Sequence, residues 1–239
     1  MAAILNIKNL FKNSKESHGP FKHHHYLNTL SAEKIDEIIL FSESDRLCEA
    51  LPDFQNKRVL FLNDERHKFV FKKIVAREPD YFINLITAES AAREQGLGYL
   101  TVFGDLKNLP FKHESFDIIV CPLALSGQGA SAERIKNLSH LLKNGGRLIV
   151  STRHPQLEYL LCNQNPSQTA PTENSATKYF RLLRENHLFT EDLVEGLVDL
   201  SLKPFFSVEG EYDYYHDYKG TPISLIFKAV KYVRGKPSF

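Results

Sequence analysis

Gly104-Asp-Leu-Lys-Asn-Leu-Pro-Phe-Lys-His-Glu-Ser-Phe-Asp-Ile-Ile-Val-Cys121 is the stretch on which the fold turns. Its end, Phe116–Cys121, is a short apolar run of the kind shown by strands buried on both faces of a parallel sheet. Similar runs recur outward at Arg58–Leu62, Tyr81–Ile86, Tyr99–Phe103 and Arg147–Thr152. Helical stretches lie between them. His67–Arg77 places Phe69, Val70, Ile74 and Val75 on one stripe, and a short helix from near Glu89 is closed by Gly96 and Gly98. Ser131–Leu142 carries Ile135, Leu138, Leu141 and Leu142, and Asn144-Gly145-Gly146 predicts a left-handed C-cap. Strands alternating with helices from 58 to 152 predict βαβ units and a doubly wound, mostly parallel α/β sheet with right-handed crossovers.

Upstream, Ser31–Leu51 reads as one or two helices with Ser31 as N-cap, and Pro52 ends it. The first residues carry Ile4, Leu5, Ile7, Leu10 and Phe11 but no long apolar block and no small-residue cleavage site. They read as a short helix docked on the body or, against the lack of arginine, an amphipathic organelle-targeting segment, and not as a signal peptide. His23, His24 and His25 cannot all face one metal from a regular element, so a solvated loop is expected there and no metal site. Downstream, Asn163–Thr177 breaks the pattern and reads as a mobile insertion. Thr190–Leu202 then reads as a helix capped by Thr190. Phe205–Tyr218 and Pro222–Tyr232 read as two strands around Gly220, an antiparallel end to the sheet. The expected organisation is a helical segment over 1–54 packed on an α/β domain over 55–239.

Composition narrows the function. In 239 residues, 42% are hydrophobic and 25% charged, the balance of a globular chain that needs neither disulfides nor metal to fold. No apolar run approaches the ~20 residues of a membrane span. A formal net charge of +1, from 30 basic and 29 acidic residues, disfavours nucleic acid as the main partner. Cys48, Cys121 and Cys162 are odd in number and widely spaced, which suits reduced thiols in a cytoplasmic protein.

The block at 104–121, with Leu141-Leu-Lys-Asn-Gly-Gly-Arg-Leu-Ile-Val-Ser151 behind it, resembles the class I S-adenosylmethionine-dependent methyltransferases, in the branch that includes the quinone-biosynthesis enzymes. The shared pattern is G-D-x-x-x-L-P-F, then S-F-D and an apolar strand, then L-K-x-G-G-R and another. His187–Leu197 resembles that family's late helix and Ile223–Lys231 its antiparallel last strand, so the resemblance spans about 55–232 and implies a seven-stranded sheet. It also implies S-adenosylmethionine as cofactor. Asp105 would accept from the adenine amino group and the Leu106 backbone would touch the ring, with Cys121 at the end of the next strand.

The first two strand ends depart from the pattern. The family's D/E-x-G-x-G-x-G is replaced by Phe61-Leu-Asn-Asp-Glu-Arg-His67, which has no glycine and puts Phe61 where the acid belongs. Asn63 and Asp64 are the candidates left there, and Asp64 with Glu65 would meet the ligand carboxylate at a helix N-terminus. After the second strand Ile86 stands where the ribose-binding acid belongs, with Glu89 displaced by three residues.

Candidates on the acceptor side are Ser126, His154, Tyr159, His187, Tyr212, Tyr214 and Tyr215. His154, His187 and Tyr214 are the catalytic candidates, with His154 placed after a strand end as a base. Two readings follow: a methyltransferase acting on a small-molecule acceptor, or an inactive member of the fold that binds a protein partner or a different ligand. An RNA-modifying enzyme is disfavoured by the near-neutral charge.

Overall fold

The computed structural model describes residues 26–63, 67–86, 100–103, 109–122, 131–162, 176–207 and 212–232. Helices α1 (Tyr26–Thr29) and α2 (Ala32–Ala50) come first. They lead to strand β1 (Arg58–Asn63), helix α3 (Lys68–Val75) and strands β2 (Tyr81–Ile86), β3 (Leu100–Phe103) and β4 (Phe116–Cys121). Helix α4 (Ser131–Leu141), strand β5 (Leu142–Arg153), and helices α5 (Pro155–Cys162) and α6 (Ala176–Glu185) follow. Strand β6 (Leu188–Leu197), a 3-10 turn (Leu200–Leu202), helices α7 (Lys203–Phe206) and α8 (Tyr215–Tyr218), and strand β7 (Pro222–Lys231) complete it.

The strands form one seven-stranded sheet in the order β3-β2-β1-β4-β5-β7-β6. β1, β2, β3, β4 and β5 pair in parallel, while β7 runs antiparallel to both β5 and β6. The doubly wound sheet with an antiparallel last strand is therefore as the sequence indicates.

Both sheet faces are covered. Val59, Phe61, Ile118, Val120, Ile149 and Ile226 pack under α2 and α3, against Leu47, Val70, Phe71 and Ile74. The alternate residues Leu60, Leu62, Ile119, Cys121, Leu148 and Val150 pack under α4 and α6, against Ile135, Leu138 and Leu183. Continuous apolar strands are needed because each successive side chain enters a different core. A third cluster joins Tyr26, Leu27, Ile38, Ile39, Leu157, Phe206, Tyr215, Tyr218 and Ile223 beside the start of β7. Helix α2 begins where Ser31 accepts from the Lys34 N–H, as its cap position predicts.

Four expectations are corrected. Thr190–Leu202 is not a helix, because Leu188–Leu197 pairs with β7. Two irregularities, at Thr190/Asp192 and Gly196/Leu197, break the period of two, and Leu193, Val194, Leu197 and Val198 fall at the i, i+1, i+4, i+5 spacing that mimics a helix. His187 correspondingly sits in the turn after α6, at φ +60°, and not in a late helix. The described parts of Phe205–Tyr218, residues 205–207 and 212–218, hold helical turns and one isolated bridge and no strand. Asp213 accepts from the Tyr215 N–H and from the Ser207 hydroxyl, a local alternative to strand pairing that starts α8. The 144–146 segment does not cap α4, which stops at Leu141 as β5 begins.

The two glycines instead serve an irregular strand entry, where pairing jumps from Phe116–Leu142 to Ile118–Arg147. Gly145 takes φ +79°, and a Cβ on Gly146 would stand 2.8 Å from the Lys143 carbonyl oxygen and 3.0 Å from that of Asp117. Of the expected insertion at 163–177, residues 163–175 lie outside the described residues, while Ala176 and Thr177 already belong to α6. The expectations for residues 1–25, the three histidines included, and for a helix near Glu89 also lie outside them.

Neither backbone oxygen facing Gly146 can rotate away. Gly146→Ala should therefore destabilise the chain by about 1–3 kcal/mol, read as a lower urea midpoint at unchanged slope.

Candidate functional site

From the middle of the sheet, the order runs β1-β2-β3 in one direction and β4-β5 in the other. The crevice outside the carboxyl ends of β1 and β4 is the switch point where such sheets bind ligands. The described chain reaches this crevice at Asn63, which ends β1, and at Cys121, which ends β4. The candidates Asp64, Glu89, Asp105, Leu106 and Ser126 lie outside the described residues.

Cys121 belongs to the core and not to the crevice wall. It is buried among the residues under α4, and burial pushes its thiol up to about 12, so it acts as a small apolar side chain. Phe61 is fully buried on the other face, its ring 6.3 Å from that of Phe71 in α3.

Beneath the crevice, on the α2 and α3 face, lies a polar group enclosed by apolar packing. Glu43 of α2 is 0% exposed, and His67, the residue before α3, is 1% exposed. His67 Nε2 lies 3.1 Å from Glu43 Oε2, and the Ser151 hydroxyl of β5 donates to Glu43 Oε1. Nδ1 of His67 is buried without a partner, and His67 makes no capping bond to α3. The sequence reading did not single out Glu43 or Ser151. The available clue was the row Ile35, Ile39, Glu43, Leu47, an acid at i+4 spacing on the apolar stripe of α2.

Nearby, Asn84 of β2 is 0% exposed, and neither atom of its amide has a partner. Its strand neighbours are Phe61 and Thr101.

His154 follows β5 on the same edge, but its valences are taken. Its Nδ1 accepts from the Gln156 N–H at 3.0 Å, capping α5, and its Nε2 lies 3.5 Å from Glu195. Burial lowers its pKa, with Glu195 opposing. Tyr214 also lies toward this edge, in the aromatic group beside the start of β7. Its ring stacks on Tyr26 at 4.2 Å, with Tyr212 edge-on at 5.0 Å. Tyr215 is buried and Tyr159 half exposed. His187 is at the opposite edge, where its carbonyl accepts from the Tyr232 N–H beyond the end of β7. The structure thus brings His154 and Tyr214 to the edge that carries the crevice and separates His187 from them. Among the described residues, no group of three His, Cys, Asp or Glu side chains gathers as for a metal. No described helix is long and apolar enough to cross a membrane.

The methyltransferase-domain family model matches residues 80–150. No curated protein matches the sequence. Among solved structures, an S-adenosylmethionine-dependent methyltransferase from Mesorhizobium loti superposes with a TM-score of 0.59 at 17% identity, over 80% of this chain and 98% of that one. A Haloferax volcanii chain solved in complex with the Trm112 methyltransferase activator gives 0.62 at 14% identity, over 86% and 96%. The cyclase SpnF gives 0.53 at 18%, over 80% of each chain. Likeness at these identities establishes the fold, and SpnF shows that the same fold carries other chemistry.

Two outcomes test this geometry. Asn84→Leu removes two unsatisfied buried polar atoms at similar volume, so it should be neutral or stabilising by up to about 3 kcal/mol in urea denaturation. His154 has a lowered pKa in the folded chain, so its contribution to stability is complete above its unfolded value near 6.5 and is lost as pH falls through the lower folded value. His154→Gln should therefore flatten the dependence of stability on pH between about 7.5 and 5, measured by denaturation at each pH.

Proposed function

We propose, from the premise that residues 80–150 belong to the methyltransferase-domain family and that the described sheet has the fold of the class I S-adenosylmethionine-dependent methyltransferases, that this chain binds S-adenosylmethionine and methylates a small-molecule acceptor. The observation that carries this reading is the β1/β4 switch point, the edge at which Asp105 follows β3 in sequence. The described residues fit a polar ligand in one respect: the enclosed polar group of Glu43, His67 and Ser151 lies beneath the crevice and not under a purely apolar floor. When bound, the cofactor supplies a methyl group on a sulfonium, whose transfer needs chiefly in-line positioning of the acceptor.

The chain's own contributions are then binding and orientation. Asp105 accepts from the adenine amino group, the Leu106 backbone meets the ring, and Asn63, Asp64 and Glu89 line the amino-acid and ribose sides. On the acceptor side, Tyr212, Tyr214 and Tyr26 offer aromatic faces. His154 acts there as a helix cap held by Glu195 rather than as a base. Unpaired Cys48 and Cys121 fit a cytoplasmic setting.

A second reading has its own support. Phe61 is packed into the core where the resemblance places an acid, and no glycine occurs over 61–67. On that reading the chain is an inactive member of the fold that serves a protein partner. The Haloferax relative in complex with an activator is an instance of a protein partner on this fold.

Calorimetry with S-adenosylmethionine and S-adenosylhomocysteine separates the two readings. Micromolar binding, weakened tenfold or more by Asp105→Ala, is expected; a tenfold loss corresponds to about 1.4 kcal/mol. No heat at millimolar ligand would overturn the enzyme reading and favour the partner-binding one.

A further inference from the structure

We propose that the cleft between α6 and the start of β6 is a ligand site separate from the crevice, built for a small organic phosphate monoester with an apolar body. It goes beyond the methyltransferase reading and does not rest on it.

Strand β7 runs antiparallel to both β5 and β6, so β6 points the same way as β5. Its first residues therefore lie at the sheet edge opposite the crevice. A cleft of about 350 Å³ opens there, where Thr177, Phe180, Arg181 and Arg184 of α6 meet residues 188–190 of β6. That volume is at the lower end of those that hold small organic ligands. The four helix residues fall at i, i+3, i+4 and i+7, which places them on one side of α6, clear of the buried Tyr179, Leu182 and Leu183.

Charge identifies the ligand group. No lining residue is acidic. Arginine keeps its charge at any working pH, so the cleft holds two fixed positive charges one helical turn apart. Among the described residues, neither guanidinium has a hydrogen-bond or ion-pair partner. Glu185, the one acid of α6, forms no ion pair among them either. The nearest acid on β6, Glu191, is held by Arg147 at 2.8 Å. Two like charges on neighbouring turns repel, and nothing on either element offsets them. A phosphate monoester carries about −1.5 to −2 near neutral pH, and its oxygens accept from two guanidinium forks at once. The hydroxyls of Thr177 and Thr190 add donors along the same cleft.

The apolar part has its own wall. Phe180 is 40% exposed, yet its ring is held edge-on against Phe227 at 5.3 Å. A fixed and accessible ring gives an apolar or aromatic body a surface to lie on beside the two charges.

Phenyl phosphate, inorganic phosphate and phenol separate these contributions on the full chain. Calorimetry should show phenyl phosphate binding below millimolar, with inorganic phosphate and phenol each tenfold or more weaker. Arg181→Gln and Arg184→Gln should each weaken phenyl phosphate about tenfold, with the melting temperature of the free chain unchanged. Asp105→Ala should leave its affinity as in the wild type. No binding of phenyl phosphate at millimolar concentration, or affinity no better than for inorganic phosphate, would overturn the proposal. So would indifference to both arginine substitutions, or a loss with Asp105→Ala, which would put the ligand in the crevice. Arginine-dependent binding to phosphatidylserine vesicles without binding of phenyl phosphate would overturn it in favour of a membrane surface. In the wild type, the Nε–H resonances of Arg181 and Arg184 should shift with phenyl phosphate, and fixed resonances would overturn the contact without recourse to a variant.

Discussion

A carboxylate buried beneath the carboxyl ends of the central strands is the constraint on which the arrangement of α2 depends. Glu43 is fully enclosed, and removing one partner of such a group costs about 3–5 kcal/mol, because the charge left behind has no water to turn to. It is bonded to partners from β5 and from the start of α3. One side chain therefore ties three elements that are far apart in sequence. Two weaker ties flank it on the same helix: Asp36 with Arg153 at 2.6 Å, and Arg46 with Asp199 at 2.8 Å. Both of these are partly exposed and contribute little by comparison.

That constraint changes how the turn after β1 is understood. In a glycine-rich turn, the last glycine lets a helix lie close against its strands. Here the corresponding residue is His67, and its ring needs room beneath α3. Glu43 and Ser151 make that room polar instead of empty. The loss of glycines is accompanied by a buried network that crosses from α2 to β5. Asn84 on β2, with both amide atoms unpaired, is a second buried polar group under the same helix face. Native chains rarely keep such atoms without a use for them.

Much of the fold was legible because its strands are buried twice. An apolar run such as Phe116–Cys121 or Arg147–Thr152 has one reading in a chain whose intervening segments show helical spacing. The segment after residue 186 was misread for a physical reason. Among the described strands β6 lies at the sheet edge and pairs with β7 alone, and it contains two irregularities, so its apolar residues lost the period of two. The next misreading, Phe205–Tyr218, arose because its aromatic residues suit a strand, while Asp213 redirects the backbone into a turn. For the candidate site, sequence named the crevice and residues along its rim. It could not name Glu43 or Ser151, because neither stands near His67 in the chain.

By itself the sequence determined the strand–helix alternation, the winding of the parallel sheet and the antiparallel last strand, since burial on two faces writes those features into local composition. The two adjacent glycines were visible in it as well, but their use in an irregular strand entry was not. Only the tertiary structure decided that His154 caps a helix, that His187 belongs to the far edge, that Cys121 is core, and that an acid from α2 meets an imidazole and a hydroxyl beneath the crevice. The reason is distance: such groups are selected by what faces them across the core, and the facing residue lies up to 108 positions away along the chain, as Ser151 does from Glu43.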